Sequence, residues 1–131
     1  QDRVGLRARA EAVGIRVIET YGMSETCGGV VWDGVPLPGV DVRLGERGRV
    51  ELAGPTVFSG YLGRPDLTAE VLSDGAVRTG DRGHLAPDGR LVVDGRLDDV
   101  VQSGGVNVDL AAVRAVAHYL SRLLDEDESS R

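Results

Sequence analysis

Lysine is missing from this chain of 131 residues; all fifteen basic side chains are Arg. Chemistry that depends on a lysine ammonium therefore cannot be completed by these residues alone. Cys27 is the only cysteine, which excludes an intrachain disulfide and points to a reducing compartment. That thiol and the two histidines, His84 and His118, lie far apart and give no zinc-ligand spacing. Aromatic residues are scarce. No apolar run approaches the roughly 20 residues of a membrane span, and no signal-peptide pattern is read, so a cytoplasmic location is expected. Positive charge is also in deficit: the formal net charge of −6 argues against nucleic acid or an anionic membrane as the main partner. It does not exclude a nucleotide, whose phosphates are met by local donors and a metal.

What is abundant is glycine. Nineteen glycines in so short a chain imply many turns and short strands rather than a helical bundle, while 41% apolar residues suffice for a core. Residues 2–13 read as a helix stopped by Gly14, and Ile15 to Glu19 as a strand. Helix, glycine, strand and functional loop is the ordering of an α/β unit, whose ligands sit beyond strand ends. From Val30 to Val93 the pattern alternates. Val40–Leu44 and Arg49–Leu52 read as strands joined at Gly45–Gly48, and Asp88-Gly89 marks a hairpin. Arg64–Leu72 reads as one short helix, capped by Asp66 or Thr68. Beyond Gly95 comes a charged junction, then Asp109 as an expected N-cap. Leu110, Val113, Val116, Leu120 and Leu123 follow as one apolar helical stripe.

The fold class expected is α+β, in three parts. Residues 1–30 are the end of an α/β unit, 31–95 a small distorted antiparallel β-barrel, and 96–131 the truncated start of a second α+β domain. The chain opens at Gln1 rather than Met, in what reads as mid-helix, and is expected to be a fragment.

Three segments carry chemistry: Tyr21-Gly22-Met23-Ser24-Glu25-Thr26, Thr79-Gly80-Asp81 and Gly95-Arg96-Leu97-Asp98-Asp99. They offer an aromatic face, a hydroxyl, a carboxylate for a metal, an acceptor for a diol and a cation. That set suits a nucleotide with Mg²⁺, which keeps several waters and takes one or two carboxylates. Taken singly each segment is weak. A Tyr-Gly loop and a Thr-Gly-Asp segment are turn chemistry more often than ligand sites, and Arg96 beside Asp98 and Asp99 reads equally as an exposed ion pair. Order and spacing over about 80 residues favour the joint reading.

In that order the motifs resemble those of the adenylate-forming superfamily, which comprises acyl-CoA synthetases, peptide-synthetase adenylation domains and luciferases. The resemblance covers nearly the whole chain. It implies that Tyr21 packs on adenine within a nucleotide-binding stretch of Tyr21, Gly22, Met23 and Ser24. Ser24 stands where the family usually has Thr and would contact the α-phosphate, and Glu25 would bind Mg²⁺. Asp81 would accept from the ribose hydroxyls and Arg96 add a ribose or phosphate contact. Asp98 would be the hinge between a large and a small domain, and Gly105 would line the tunnel for CoA. Segments 21–29, 34–40, 51–61 and 103–113 look most like actinobacterial o-succinylbenzoate–CoA ligases of menaquinone biosynthesis.

The substrates implied are a carboxylic acid, ATP and CoA. A homo-oligomer stays open, as do another aryl- or fatty-acyl-CoA ligase, a peptide-synthetase adenylation domain and a non-catalytic binding module. The family's phosphate loop would lie upstream of Gln1 and its catalytic lysine has no counterpart here, so these residues alone are expected to be inactive and to contain no catalytic residue. Cys27 reads either as lining the acyl site or as a small buried thiol. His84 reads as exposed or hydrogen-bonded, and His118 as part of a solvated helical face.

Overall fold

The computed structural model describes residues 3–103, 106–110, 113–114 and 116–117. Helix α1 (Arg3–Ala12) ends where expected. Gly14 takes φ +80°, its N–H reaches the Glu11 carbonyl at 3.0 Å, and the Ile15 N–H reaches Ala10 at 2.9 Å. This left-handed C-terminal closure suits glycine, which has no Cβ to clash.

The strand expected over 15–19 does not form; β1 is Thr20–Met23. The cause lies in its partner. β2 (Gly28–Trp32) runs antiparallel to β1, pairing Trp32 with Thr20, and then turns at Asp33-Gly34, where both residues have positive φ. Residues 15–19 thus meet no strand, and Ile15 and Ile18 stay exposed. β3 (Val35–Pro36) returns along β2 to complete a three-stranded sheet.

The second sheet contains β4 (Asp41–Leu44), β5 (Arg49–Ala53), β6 (Leu72–Ser73), β7 (Ala76–Leu85) and β8 (Leu91–Arg96). Its order is β4-β5-β7-β6, with β8 also on β7, and every pairing is antiparallel. The alternation read over 40–44 and 49–52 holds, and Val50 and Leu52 are fully buried. The Asp88-Gly89 hairpin also forms, with the Ala86 N–H donating to Arg90 at 2.8 Å. Val30 and Val31 from the first sheet pack with Val50, Leu52 and Leu91 from the second. Tyr21, Met23, Val40, Val42 and Val93 line the edge of that common core. The result is an α+β fold whose main body is a curled antiparallel half-barrel.

Helix α2 (Pro65–Val71) falls where the sequence placed it, but neither Asp66 nor Thr68 caps it. Pro65 fills the first turn, Asp66 pairs with the Arg64 guanidinium at 2.8 Å, and the Thr68 hydroxyl accepts from the Tyr61 N–H at 2.9 Å. After β8, Leu97 is buried and Asp98 is exposed. Strands β9 (Val100–Ser103) and β10 (Val106–Asp109) then pair as a separate hairpin, and helix follows at Leu110. The hairpin is not among the elements expected from the sequence; its last residue, Asp109, immediately precedes the helix, the position expected of the N-cap. Gly105, His118, Leu120 and Leu123 lie outside the described residues.

Candidate functional site

The first motif occupies β1 and the 3-10 turn that follows, Ser24–Thr26. Its hairpin closes more tightly than a side chain would permit: a Cβ on Gly22 would stand 1.9 Å from the Gly28 carbonyl oxygen. Thr26, fully buried, ties the turn together. Its Oγ1 accepts from the Met23 N–H at 3.0 Å and lies 2.9 Å from the Gly28 carbonyl oxygen, to which it can donate. Met23 contributes its backbone to this turn and its side chain to the core. Ser24 is exposed at the head of the turn, and Cys27 closes it with φ 58°, its side chain exposed rather than buried. Glu25 is half-buried; its Oε1 accepts from the Tyr61 hydroxyl at 2.5 Å. That hydrogen bond, with burial secondary, raises the Tyr61 pKa.

The second motif lies within a strand and is not a turn between strands. The pairing of β5 with β7 jumps from Arg49↔Arg82 to Glu51↔Arg78, so Thr79-Gly80-Asp81 bulges opposite Val50. A bulge of this kind re-aims side chains beside a site. The buried Thr79 hydroxyl satisfies the displaced carbonyl of Val50 at 2.7 Å, and the Arg49 guanidinium donates to the Thr79 carbonyl at 2.7 Å.

Asp81 is where all the motifs meet. Its Oδ2 accepts from the Tyr21 hydroxyl at 2.8 Å, and its Oδ1 from the Arg96 guanidinium at 3.2 Å. Asp81 and Arg96 face each other across β7 and β8. The guanidinium lies over Gly80, where a Cβ would approach Arg96 Nη2 to 2.5 Å. Arg96 therefore pairs with Asp81, not with the neighbouring Asp98 or Asp99 that the sequence offered. Asp99 instead meets Arg114 at 3.7 Å. Burial raises the Tyr21 phenol pKa, with the bond to Asp81 and its charge adding to the effect and the Thr79 hydroxyl opposing it.

A cavity of about 410 Å³ lies nearby but shares only Tyr21 with the motif residues. Arg7, Asp33 and Arg90 are among the residues around it. His84 is exposed and paired with Asp94 at 3.0 Å, as the sequence led us to expect.

Among the described residues no cluster of three or more His, Cys, Asp or Glu could hold a metal by itself. A cation here would have to accept one protein carboxylate, phosphate oxygens and water, which is the donor set Mg²⁺ tolerates. Glu25 fits that role. One of its oxygens is taken by Tyr61, and the other makes no hydrogen bond or ion pair with a described residue. Asp81 likewise fits a ribose, since each carboxylate oxygen has a lone pair beyond the one already used. Tyr61 and Phe58 were not singled out in the sequence. Their loop carries no local signal of a role here, since the partner of Tyr61 lies 36 positions away.

No protein-family model matches the chain. A Mycobacterium tuberculosis protein named "Probable 2-succinylbenzoate--CoA ligase" is 46% identical over 103 residues, covering 76% of this chain and 26% of that protein. The feruloyl-CoA synthase of an Amycolatopsis species is 39% identical over 122 residues, covering 76% of this chain and 25% of that protein. Among solved structures, unliganded o-succinylbenzoate coenzyme A synthetase from Bacillus subtilis superposes with a TM-score of 0.77 at 27% identity. That match covers 86% of this chain and 30% of that one. The same enzyme with ATP and a magnesium ion gives 0.76 at 27% identity, over 87% of this chain and 28% of that one. The chain thus spans about a quarter of the length of the curated relatives it matches. It belongs to the adenylate-forming superfamily. Its homologues there include acyl-CoA ligases, a probable 2-succinylbenzoate–CoA ligase among them.

Proposed function

We propose that this chain is the nucleotide-facing portion of an ATP-dependent acid–CoA ligase. The observation that carries the reading is the convergence of Tyr21, Asp81 and Arg96 from three separated motifs onto one carboxylate. Tyr21 offers its ring to adenine, Asp81 accepts from the ribose hydroxyls, and Arg96 adds a ribose or phosphate contact of fixed geometry. Ser24 donates to the α-phosphate, and Glu25 holds Mg²⁺, which screens the repulsion between two anions. In the intact enzyme the acid carboxylate attacks the α-phosphorus and pyrophosphate leaves. The CoA thiol then displaces AMP from the acyl-adenylate. Positioning and electrostatics carry most of such a step.

Asp98, exposed just after the buried Leu97, is proposed as the pivot between domains. The proposed divisions are 1–30, 31–95 and 96–131, with Gly105 lining the path of CoA. The lysine-free chain is proposed to be inactive alone. No helix among the described residues is long and apolar enough to cross a membrane, and a cytoplasmic enzyme is the reading we favour.

The proposed acid is o-succinylbenzoate, supported by the 46% identical mycobacterial relative and the Bacillus subtilis neighbours. An aromatic acid of the ferulate type is the second reading, favoured by the 39% identical feruloyl-CoA synthase. The test is a panel of acids on the full-length protein with ATP, Mg²⁺ and CoA. Thioester formed from o-succinylbenzoate, with little from ferulate or palmitate, is the expected result. No AMP release with any acid would remove the ligase reading altogether.

A further inference from the structure

The geometry points to Tyr61 as the residue that positions the Glu25 carboxylate for its metal ion; this rests on the proposal above that Glu25 holds Mg²⁺. Tyr61 lies 36 positions from Glu25 in sequence, yet its hydroxyl donates to Glu25 Oε1. The loop that brings it there is fastened at several points. The Phe58 N–H donates to the Glu25 backbone carbonyl at 2.9 Å, so side chain and main chain of one residue are gripped from the same loop. The Phe58 and Tyr61 rings meet edge to face with centroids 4.8 Å apart. The Tyr61 N–H is held by Thr68 Oγ1 at 2.9 Å. Gly60, with φ +148°, lies so close to Thr68 that a Cβ there would stand 2.8 Å from Thr68 Cγ2.

A glutamate on a half-exposed turn has several rotamers, and ordering it on metal binding costs entropy. A neutral phenol donating to one oxygen fixes the side chain without neutralising it, and leaves the other oxygen to the cation. Outer hydrogen bonds of this kind typically change metal affinity by about 10- to 100-fold when removed. Tyr61 touches no reacting atom in this arrangement, so its role is positional.

The experiment is Mn²⁺ titration of the full-length protein with ATP present, following free Mn²⁺ by electron paramagnetic resonance. Metal-free AMP binding and thermal midpoints are measured alongside. Tyr61→Phe removes only the hydroxyl and keeps the ring against Phe58. It is expected to weaken Mn²⁺ uptake about tenfold with AMP binding unchanged and melting lowered only slightly by the lost hydrogen bond. Glu25→Gln should weaken uptake at least as much. If Glu25→Gln leaves uptake intact, the metal reading of Glu25 falls and the role of Tyr61 with it. If Glu25→Gln weakens uptake and Tyr61→Phe does not, the positioning role alone is overturned. Phe58→Leu disturbs the loop without touching the hydroxyl; an equal loss of Mn²⁺ uptake there would overturn positioning in favour of simple loop integrity.

Discussion

The hydroxyl of Tyr21 donates to Asp81 Oδ2 at 2.8 Å across 60 positions of sequence, joining the three-stranded sheet to the five-stranded one at a polar contact. The same pair joins the two halves of the proposed nucleotide site. Replacing Tyr21 with Phe should lower stability by about 1 kcal/mol, the usual net worth of one hydrogen bond, measured by urea unfolding. The pKa of Tyr21 is raised in the folded state. Its stabilisation is therefore complete below the unfolded phenol value of about 10 and is lost as pH rises through the folded one. Tyr21→Phe should remove that alkaline component, so the gap between wild type and variant narrows above about pH 10.

Asp81 should read the ribose. In the full-length protein, wild type should bind ATP more tightly than 2′-deoxy-ATP, and Asp81→Asn should lose about tenfold in ATP affinity. The variant should also lose most of the preference. Asn keeps an acceptor for Tyr21 but turns its N–H2 toward Arg96 and loses that pair; because the Arg96 guanidinium is exposed, melting should fall only slightly. Isothermal calorimetry with both nucleotides checks the pair.

Gly22 admits no side chain. A methyl group there would sit 1.9 Å from the Gly28 carbonyl oxygen, backbone against backbone, with no flexible neighbour to yield. Gly22→Ala should destabilise the protein by more than about 2 kcal/mol, seen as a lowered urea midpoint or loss of soluble protein. Gly75→Ala, where a Cβ meets nothing within 4 Å, is the control that isolates crowding from backbone strain at positive φ.

Thr79→Val keeps the shape of a buried side chain and deletes the donor that satisfies the Val50 carbonyl at 2.7 Å. Leaving that carbonyl unpaired should cost about 1–3 kcal/mol. Thr79→Ser, which keeps the hydroxyl, should recover much of it. Both are read from urea midpoints.

Much of this architecture is legible in the residues because its signals are local. Alternation at Val42, Val50 and Leu52, the Asp88-Gly89 turn and the glycine stop at Gly14 all need only their immediate neighbours. The order of the three motifs also survives, since the strands that carry them bring Tyr21, Asp81 and Arg96 together. The misreadings involve partners distant in sequence. Residues 15–19 have strand-forming side chains but no strand beside them, because β2 turns away at Asp33. Thr79-Gly80-Asp81 has turn composition, yet a two-sided pairing holds it inside β7 as a bulge. Asp66 and Thr68 are good caps that were claimed by Arg64 and by the Tyr61 N–H. Tyr61 was invisible for the same reason: nothing within its own loop hints at Glu25.

Cys27 closes the Ser24–Thr26 turn with an exposed thiol, and no lysine competes for electrophiles anywhere in the 131 residues. Within these 131 residues a maleimide dye would therefore attach at one side chain, two residues from Glu25. Its fluorescence would report nucleotide or metal arriving at the turn, and would do so in a segment whose other reactive side chains are chemically silent to the label.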